Sequence, residues 1–336
     1  LTSGGYSTAI GKGALSTEDG HSNNTAVGFE TLRDLNAGAD GTNVAVGNIA
    51  GRELTTGVQN TLIGALAGDA LTDADKNVAV GRSALTSDTL GSKSTAIGYS
   101  ALDTQNFTTA TDSHNTAVGH LAGLSVTTGI LNTLIGSEAG DALTTGNRNV
   151  AMGKGALSAD TLGSRSVALG QSALAAQNFT TATNSHNTAV GHAAGASVTT
   201  GVENTVIGAL AGTSMTSADQ NTLIGHGSGD ALVTAGSNTC VGNNTLTADV
   251  QGFYSVAVGV GCLAVQSFST SANVYNVAIG YGAGNTVSTG IENVVIGALA
   301  GDALTDADYN TAVGYASLTT DTKGSRTSAI GYQALA

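Results

Sequence analysis

Apolar and polar positions along this chain recur in a five-residue block: a small polar residue, Thr or Val, usually Ala, an aliphatic residue, then Gly. The block reads Ser-Thr-Ala-Ile-Gly up to Gly11, Asn-Thr-Ala-Val-Gly up to Gly28 and Asn-Thr-Leu-Ile-Gly up to Gly64, and there are 19 copies. The usual spacing between the glycines is 17 residues; it is 19 after Gly28 and 21 after Gly98, Gly170 and Gly259. The residue before Gly is Ile or Val in 17 copies, which is strand chemistry. Asn opens 14 copies and suits a corner, because it tolerates left-handed backbone and bonds its own chain. A unit this short cannot bury its apolar face alone, whereas stacked units can. The pattern predicts an all-β fold, a parallel β-solenoid of about 19 coils over residues 1–336 as a single repetitive domain. At about 4.8 Å per coil the stack is expected to be about 90 Å long.

Alternation along a strand separates the Thr/Val and Val/Ile positions from the Asn and Ala positions. The bulky β-branched pair is expected to face the coil interior, so a charge at Ile207 should be highly destabilising. The Ala position is also apolar throughout, and a strand apolar on both faces is buried on both faces. This predicts a partner chain over the stripe Ala26, Ala45, Leu62, Ala79, Ala96 and Cys240, and hence a homo-oligomer.

Past each glycine the coils fall into two kinds. In one, Leu follows a small residue, as in Ala84-Leu85; in the other, Gly follows it, as in Ala67-Gly68, and an apolar residue comes three positions later. With L and G for the two, the chain reads LLGGLLGGLLGGGLLGGLL, a superperiod of about four coils with one extra G coil. The enlarged spacings carry similar loops centred on Phe107, Phe179 and Phe268. These rings serve either as plugs that tuck a bulge onto the stack or as contact points for a partner.

Composition narrows the functions. With 11 basic and 24 acidic residues and a net charge of −13, the chain lacks the basic patch that nucleic acid or an anionic membrane requires. No stretch approaches 18 consecutive apolar residues, so no membrane insertion is expected. The sequence begins and ends inside a repeat, which reads as a fragment of a longer chain.

Candidate chemistry is sparse, and every polar residue belongs to a repeated slot, whereas catalysis needs one asymmetric constellation. Gly11-Lys12-Gly13 and Gly153-Lys154-Gly155 lack the phosphate-loop pattern. His21, His114, His120, His186, His192 and His226 read as turn residues, although a symmetry axis could gather copies around an ion. The acidic turns Asp69, Asp73, Asp75 and Asp302, Asp306, Asp308 offer oxygen ligands but do not follow the calcium nonapeptide pattern. Cys240 and Cys262 read as small hydrophobes in different slots. No enzyme, cofactor or metal is predicted. Ice binding, which wants an exposed Thr array, is disfavoured because Thr fills its slot in 11 of 19 copies and is assigned to the interior.

The Asn-Thr/Val-Ala-Val/Ile-Gly unit, followed by a small residue three positions on, resembles the head repeat of YadA-like trimeric autotransporter adhesins. Runs such as Gly98-Tyr99-Ser100-Ala101-Leu102 and Gly331-Tyr332-Gln333-Ala334-Leu335 are similar to repeats of bacteriophage tail fibres. The resemblance spans the whole chain and implies a left-handed parallel β-roll, a parallel homotrimer and surface attachment. The adhesin repeat is shorter than 17 residues, so the turns here are longer. The expectation is an extracellular structural or adhesive fibre, most of all a phage tail fibre. Its partners are further copies of itself and a cell-surface glycan or protein receptor. The alternatives are an adhesin head or a glycan-cleaving spike.

Overall fold

The computed structural model describes residues 6–20, 23–38 and 40–336. Its contacts group the chain into two compact units, Leu1–Arg165 with Phe179–Thr183, and Ser166–Asn178 with Asn184–Ala336. The first unit stacks nine three-residue strands from Thr8–Ile10 to Val150–Met152, and each pairs in parallel with the next. The second stacks ten in the same way, from Val167–Leu169 to Ser328–Ile330. Each is a parallel β-solenoid, and no described residue is helical. Register is one residue to one throughout, as Thr61↔Val78, Leu62↔Ala79 and Ile63↔Val80 illustrate. The turns stack too: Leu66 N–H donates to the Asn48 carbonyl at 3.0 Å, and Gly68 N–H to that of Ala84 at 2.9 Å.

The block-ending glycine fixes this stacking. At Gly64 φ is +135°, and an added Cβ would lie 2.5 Å from the Gly81 carbonyl oxygen of the next coil. No side chain fits between backbones that close, so all 19 copies carry Gly. Other corners place ordinary residues in left-handed backbone, such as Leu66 (φ 62°), Lys76 (φ 59°) and Leu85 (φ 54°). This costs each about 1–2 kcal/mol. At Leu85 the same turn sends the side chain into the core at 0% exposure, and a buried Leu returns about 1.5–3 kcal/mol.

The two faces of the strand are the reverse of the sequence expectation. The Ala position faces the coil interior: Ala26, Ala45, Leu62, Ala79, Ala96 and Cys240 are all at 0% exposure within a single chain. The Thr/Val and Val/Ile positions face outward, with Ile63 39% and Ile207 36% exposed. The alternation was right and the assignment of faces by bulk was not. The coil is narrow, and its opposite wall already supplies large side chains such as Leu71 and Leu85. The strand side therefore has room for Ala and Asn, and the β-branched residues turn out.

The same narrowness accounts for the L and G coils. A Cβ at Gly51 would lie 2.6 Å from Leu62 Cδ1, and one at Gly68 would lie 2.9 Å from Leu62 Cδ2. Leu62, together with Leu71, whose Cδ1 would lie 2.7 Å from the Gly68 Cβ, thus fills the space that Leu takes in the other kind of coil. Gly123 and Gly140 flank Leu134 in the same way. Where two large inward residues come in succession, Val206 and Leu223, three G coils follow one another, at Gly195, Gly212 and Gly229. Of these, Gly212 lies against both Val206 and Leu223, and Gly229 against Leu223, so the added large residue is matched by glycine.

Two measurements check this packing. Gly64→Ala is expected to cost about 2–4 kcal/mol, read from the denaturation midpoint, because it adds both strain and a backbone clash. Gly68→Leu should be severely destabilising alone and recover much of the loss when combined with Leu62→Ala, the coupling expected of residues sharing one volume. Simple additivity would refute the compensation.

Candidate functional site

Two features stand out from the repeated core: a buried polar ladder and the outward strand face. The ladder begins with the Asn that opens each block. Its side chain points inward beside Ala, and Asn43, Asn60 and Asn77 are at 0% exposure. Asn60 N–H donates to Asn43 Oδ1 at 2.9 Å, and Asn60 Oδ1 in turn accepts from Asn77 N–H at 2.9 Å. Asn60 Nδ2 donates to the Ala74 carbonyl at 2.7 Å, closing the coil across its corner. The pattern recurs through Asn115, Asn132 and Asn149, and in the second unit through Asn187, Asn204, Asn221 and Asn238. The sequence suggested a corner role for Asn; the structure makes it the buried polar spine.

Where Ser replaces Asn, a second set of residues completes the spine. Ser94 has no side-chain carbonyl oxygen to offer. Gln105, from the enlarged loop, reaches in and donates to Ser94 Oγ at 2.8 Å, while its Oε1 accepts from Asn115 Nδ2 at 2.8 Å. Gln105 Nε2 also donates to Asp88 Oδ2 at 2.5 Å. Asp88 Oδ1 accepts from Gly91 N–H at 3.0 Å and Phe107 N–H at 3.1 Å. The set Asp249, Ser255, Gln266 and Asn276 repeats this arrangement. Burial pushes the Asp88 and Asp249 carboxyls above the ordinary carboxylate range, and the donors aimed at them pull back only part of that rise.

The loop phenylalanines follow from this clasp. Phe107 and Phe179 are each 6% exposed and Phe268 is half-buried, so Phe107 and Phe179 are plugs rather than rings offered to a partner. The loop backbone is tied down at Phe107 N–H, and hydroxyl Thr89 Oγ1 donates to the Phe107 carbonyl at 2.8 Å.

On the outside, the strands present two columns. One holds Thr or Val, with Ser328 at the last level, and the other holds Val, Ile, Leu or Met, with Val46, Ile97, Met152 and Ile279 exposed by 36–41%. In each unit the two columns form a strip about 40 Å tall. No charged residue interrupts either column. The positions at the two ends of the strand, just before the Asn and just after the Gly, hold all 8 Tyr of the chain. They also hold eight of its 11 cations, including Lys76, Arg82, Lys93 and Arg148, against two acids, Glu203 and Glu292. These margins stack along the fold. Arg82 lies 5.7 Å over Tyr99, Tyr99 stacks on His120 at 5.5 Å, and Tyr254 stacks on Tyr275 at 5.1 Å. The strip is thus an uncharged band, one column aliphatic and the other mostly Thr, edged with aromatic and basic side chains, a pattern no local motif in the sequence announces.

The remaining candidates are dispersed. His114, His120, His186, His192 and His226 are exposed, and His21 lies outside the described residues. No three potential metal ligands converge among the described residues. Asp73 accepts from Thr56 Oγ1 at 2.7 Å and Asp75 from Val58 N–H at 2.8 Å, so they clasp turns. Asp308 does the same for Ile291 N–H at 2.9 Å, and Asp306 accepts from Thr305 Oγ1 at 3.0 Å. Asp69, Asp141 and Asp230 each bury one oxygen without a partner, and desolvation raises all three. Lys12 lies 5.9 Å over the Phe29 ring and Lys154 is exposed. Cys240 is buried in the coil, where desolvation pushes its thiol well up, and Cys262 Sγ donates to the Gly280 carbonyl at 2.6 Å. Placing Cys240 on an interchain seam is therefore corrected: its thiol faces its own core.

Three outcomes test these assignments. Asn60→Ala should cost about 1–3 kcal/mol, since it strands the Asn77 N–H and the Ala74 carbonyl, measured by chemical denaturation. Asp88 and Asp249 have folded-state pKa values above the unfolded value of about 3.9, so their contribution is present below that value and lost as pH rises through the folded pKa. Stability measured across that window should flatten in the doubly substituted Asp88→Asn, Asp249→Asn chain. Native protein should leave the Cys240 thiol unreactive to alkylation and should form no Cys240 crosslinks on mild oxidation.

Compared with family models, curated proteins and solved structures, the chain matches none.

Proposed function

We propose that this chain is a segment of an extracellular structural or attachment fibre, such as a phage tail fibre, in which parallel copies pack through their outward strand faces. The resemblance of the repeat sets the number of copies at three and extends the reading to the head of a surface adhesin. One observation carries the proposal: the uncharged band, with its continuous aliphatic column and its Tyr- and Arg-rich edges. Exposed apolar patches larger than a few hundred Å² are rare on monomers and mark interaction sites. An apolar centre with a rim enriched in Tyr and Arg is the composition of protein interfaces. The columns repeat with the coil, so a second copy in parallel register meets an equivalent side chain at every level. The acidic balance of the chain disfavours nucleic acid, and no described helix is long and apolar enough to cross a membrane. A cell-surface glycan or protein receptor is the external partner of such a fibre.

The outward position of Thr favours a second reading. It supplies an outward Thr column, half-buried at most levels where ice binding wants an exposed one, which the sequence alone had assigned to the interior. Bulky Ile, Leu and Met in the adjoining column favour the protein interface instead.

Substitution on this face separates the readings. Ile207→Asp, which adds its charge at a 36% exposed position, should leave the melting temperature of the isolated coil stack nearly unchanged. It should convert the assembly measured by light scattering into monomers. A monomeric parent protein that shows thermal hysteresis would replace the fibre reading with the ice-binding one. A monomeric parent without hysteresis would end both.

A further inference from the structure

The enlarged loop contains an acceptor tripeptide whose setting differs from the other tripeptides of its kind in this chain. Asn-x-Ser/Thr is the pattern used for asparagine glycosylation, and it requires the Asn amide and the hydroxyl residue to be reached together from solvent. It occurs at Asn23-Asn24-Thr25, Asn106-Phe107-Thr108, Asn178-Phe179-Thr180 and Asn243-Asn244-Thr245. The fold separates these four. Thr245 is at 0% exposure, and the residue ahead of it, Asn244, is left-handed with φ 51°. Asn23 is left-handed with φ 70°, Asn24 is a rung of the buried ladder, and Thr25 lies half-buried in the sheet.

At Asn106-Phe107-Thr108 both ends are exposed and only the middle residue is held. Phe107 N–H is tied to Asp88 at 3.1 Å, its carbonyl accepts from Thr89 at 2.8 Å, and its ring is buried. None of the three residues has a positive φ. The Asn106 side chain accepts a hydrogen bond from Thr89 Oγ1 at 3.1 Å through its carbonyl oxygen, Oδ1. That contact does not use Nδ2, the atom that would react. Asn178 and Thr180 are likewise both exposed. The third loop has Ser267-Phe268-Ser269 in the same place and so supplies an internal control without Asn.

We infer that Asn106 and Asn178 are glycosylation acceptors, with Phe107 and Phe179 as anchors that keep the acceptor presented. The donor class is a sugar activated as a diphosphate ester, carried on a nucleotide or a lipid. Asn Nδ2 attacks the anomeric carbon, the new C–N bond forms, the bond from that carbon to the phosphate oxygen breaks, and the diphosphate departs with the bonding pair. The amide nitrogen loses one proton to solvent or to the enzyme's base. The inference does not depend on the fibre reading, because it concerns loops away from the strand face.

The test uses folded full chain, UDP-glucose and a soluble asparagine glycosyltransferase, with peptide mapping by mass spectrometry. The expected result is one hexose at each of Asn106 and Asn178 and none at Asn23 or Asn243. Asn106→Gln should remove one of the two additions and leave the melting curve unchanged. A heat-unfolded sample should gain reactivity at Asn23 and Asn243, which would show that the fold does the selecting. The inference is overturned if folded chain is unmodified at Asn106 and Asn178, or if Asn243 reacts as readily as they do.

Discussion

The Asn that opens most blocks is turned into the coil at 0–1% exposure, so its side chain and the backbone beside it need partners from the chain itself. The asparagine ladder meets that need. One side chain at a time, it caps the N–H of the next coil and the carbonyl at the corner of its own, as Asn60 does for Asn77 and Ala74. An unpaired buried donor or acceptor costs about 1–3 kcal/mol, so a ladder broken at several levels would not be tolerated. The shape of the enlarged loops adjusts to it.

The departures from the repeat show how tightly the parts are coupled. Ser at position 94 would leave the spine incomplete, and Gln105 and Asp88, from two different coils, make good the loss. The loop is longer there because the chain must travel inward with Gln105 and seat Phe107 before returning. Three loops of the same length thus share one polar cause. The large inward residues Leu62, Leu134 and Leu223 are matched by glycines in the same way, with volume as the conserved quantity in place of hydrogen bonds.

A core this self-sufficient leaves the outside of the strand free for other uses. The Thr and Val/Ile columns contribute nothing to the filling of the coil, yet they remain mostly β-branched, and uncharged from one end of each unit to the other. Lys, Arg and Tyr gather at their edges in a chain whose overall balance is strongly acidic. Strand formation alone would accept Lys, Glu or Arg at many of these positions. Their absence is what points to a second surface lying against the face.

Much of the fold was legible in the residues themselves. The 17-residue return of Gly, the β-branched residue before it and the two kinds of coil determine a parallel stack of about 19 short strands. They do so because backbone pairing at a fixed rise per coil forces a strict period on any chain that stacks in this way. The burial of Phe107 as a plug was open among the sequence alternatives as well. Which face of the strand is inside was not legible. Alternation reports only that two sets of residues point opposite ways, and both sets here are apolar enough to be buried. Only the closed coil decided between them, because its width depends on side chains such as Leu71 and Leu85, which enter the core only once the chain has turned after the strand. The partnership of Asp88 with Gln105 was hidden for the same reason: it spans 17 residues, and it exists only once successive coils lie one above the other.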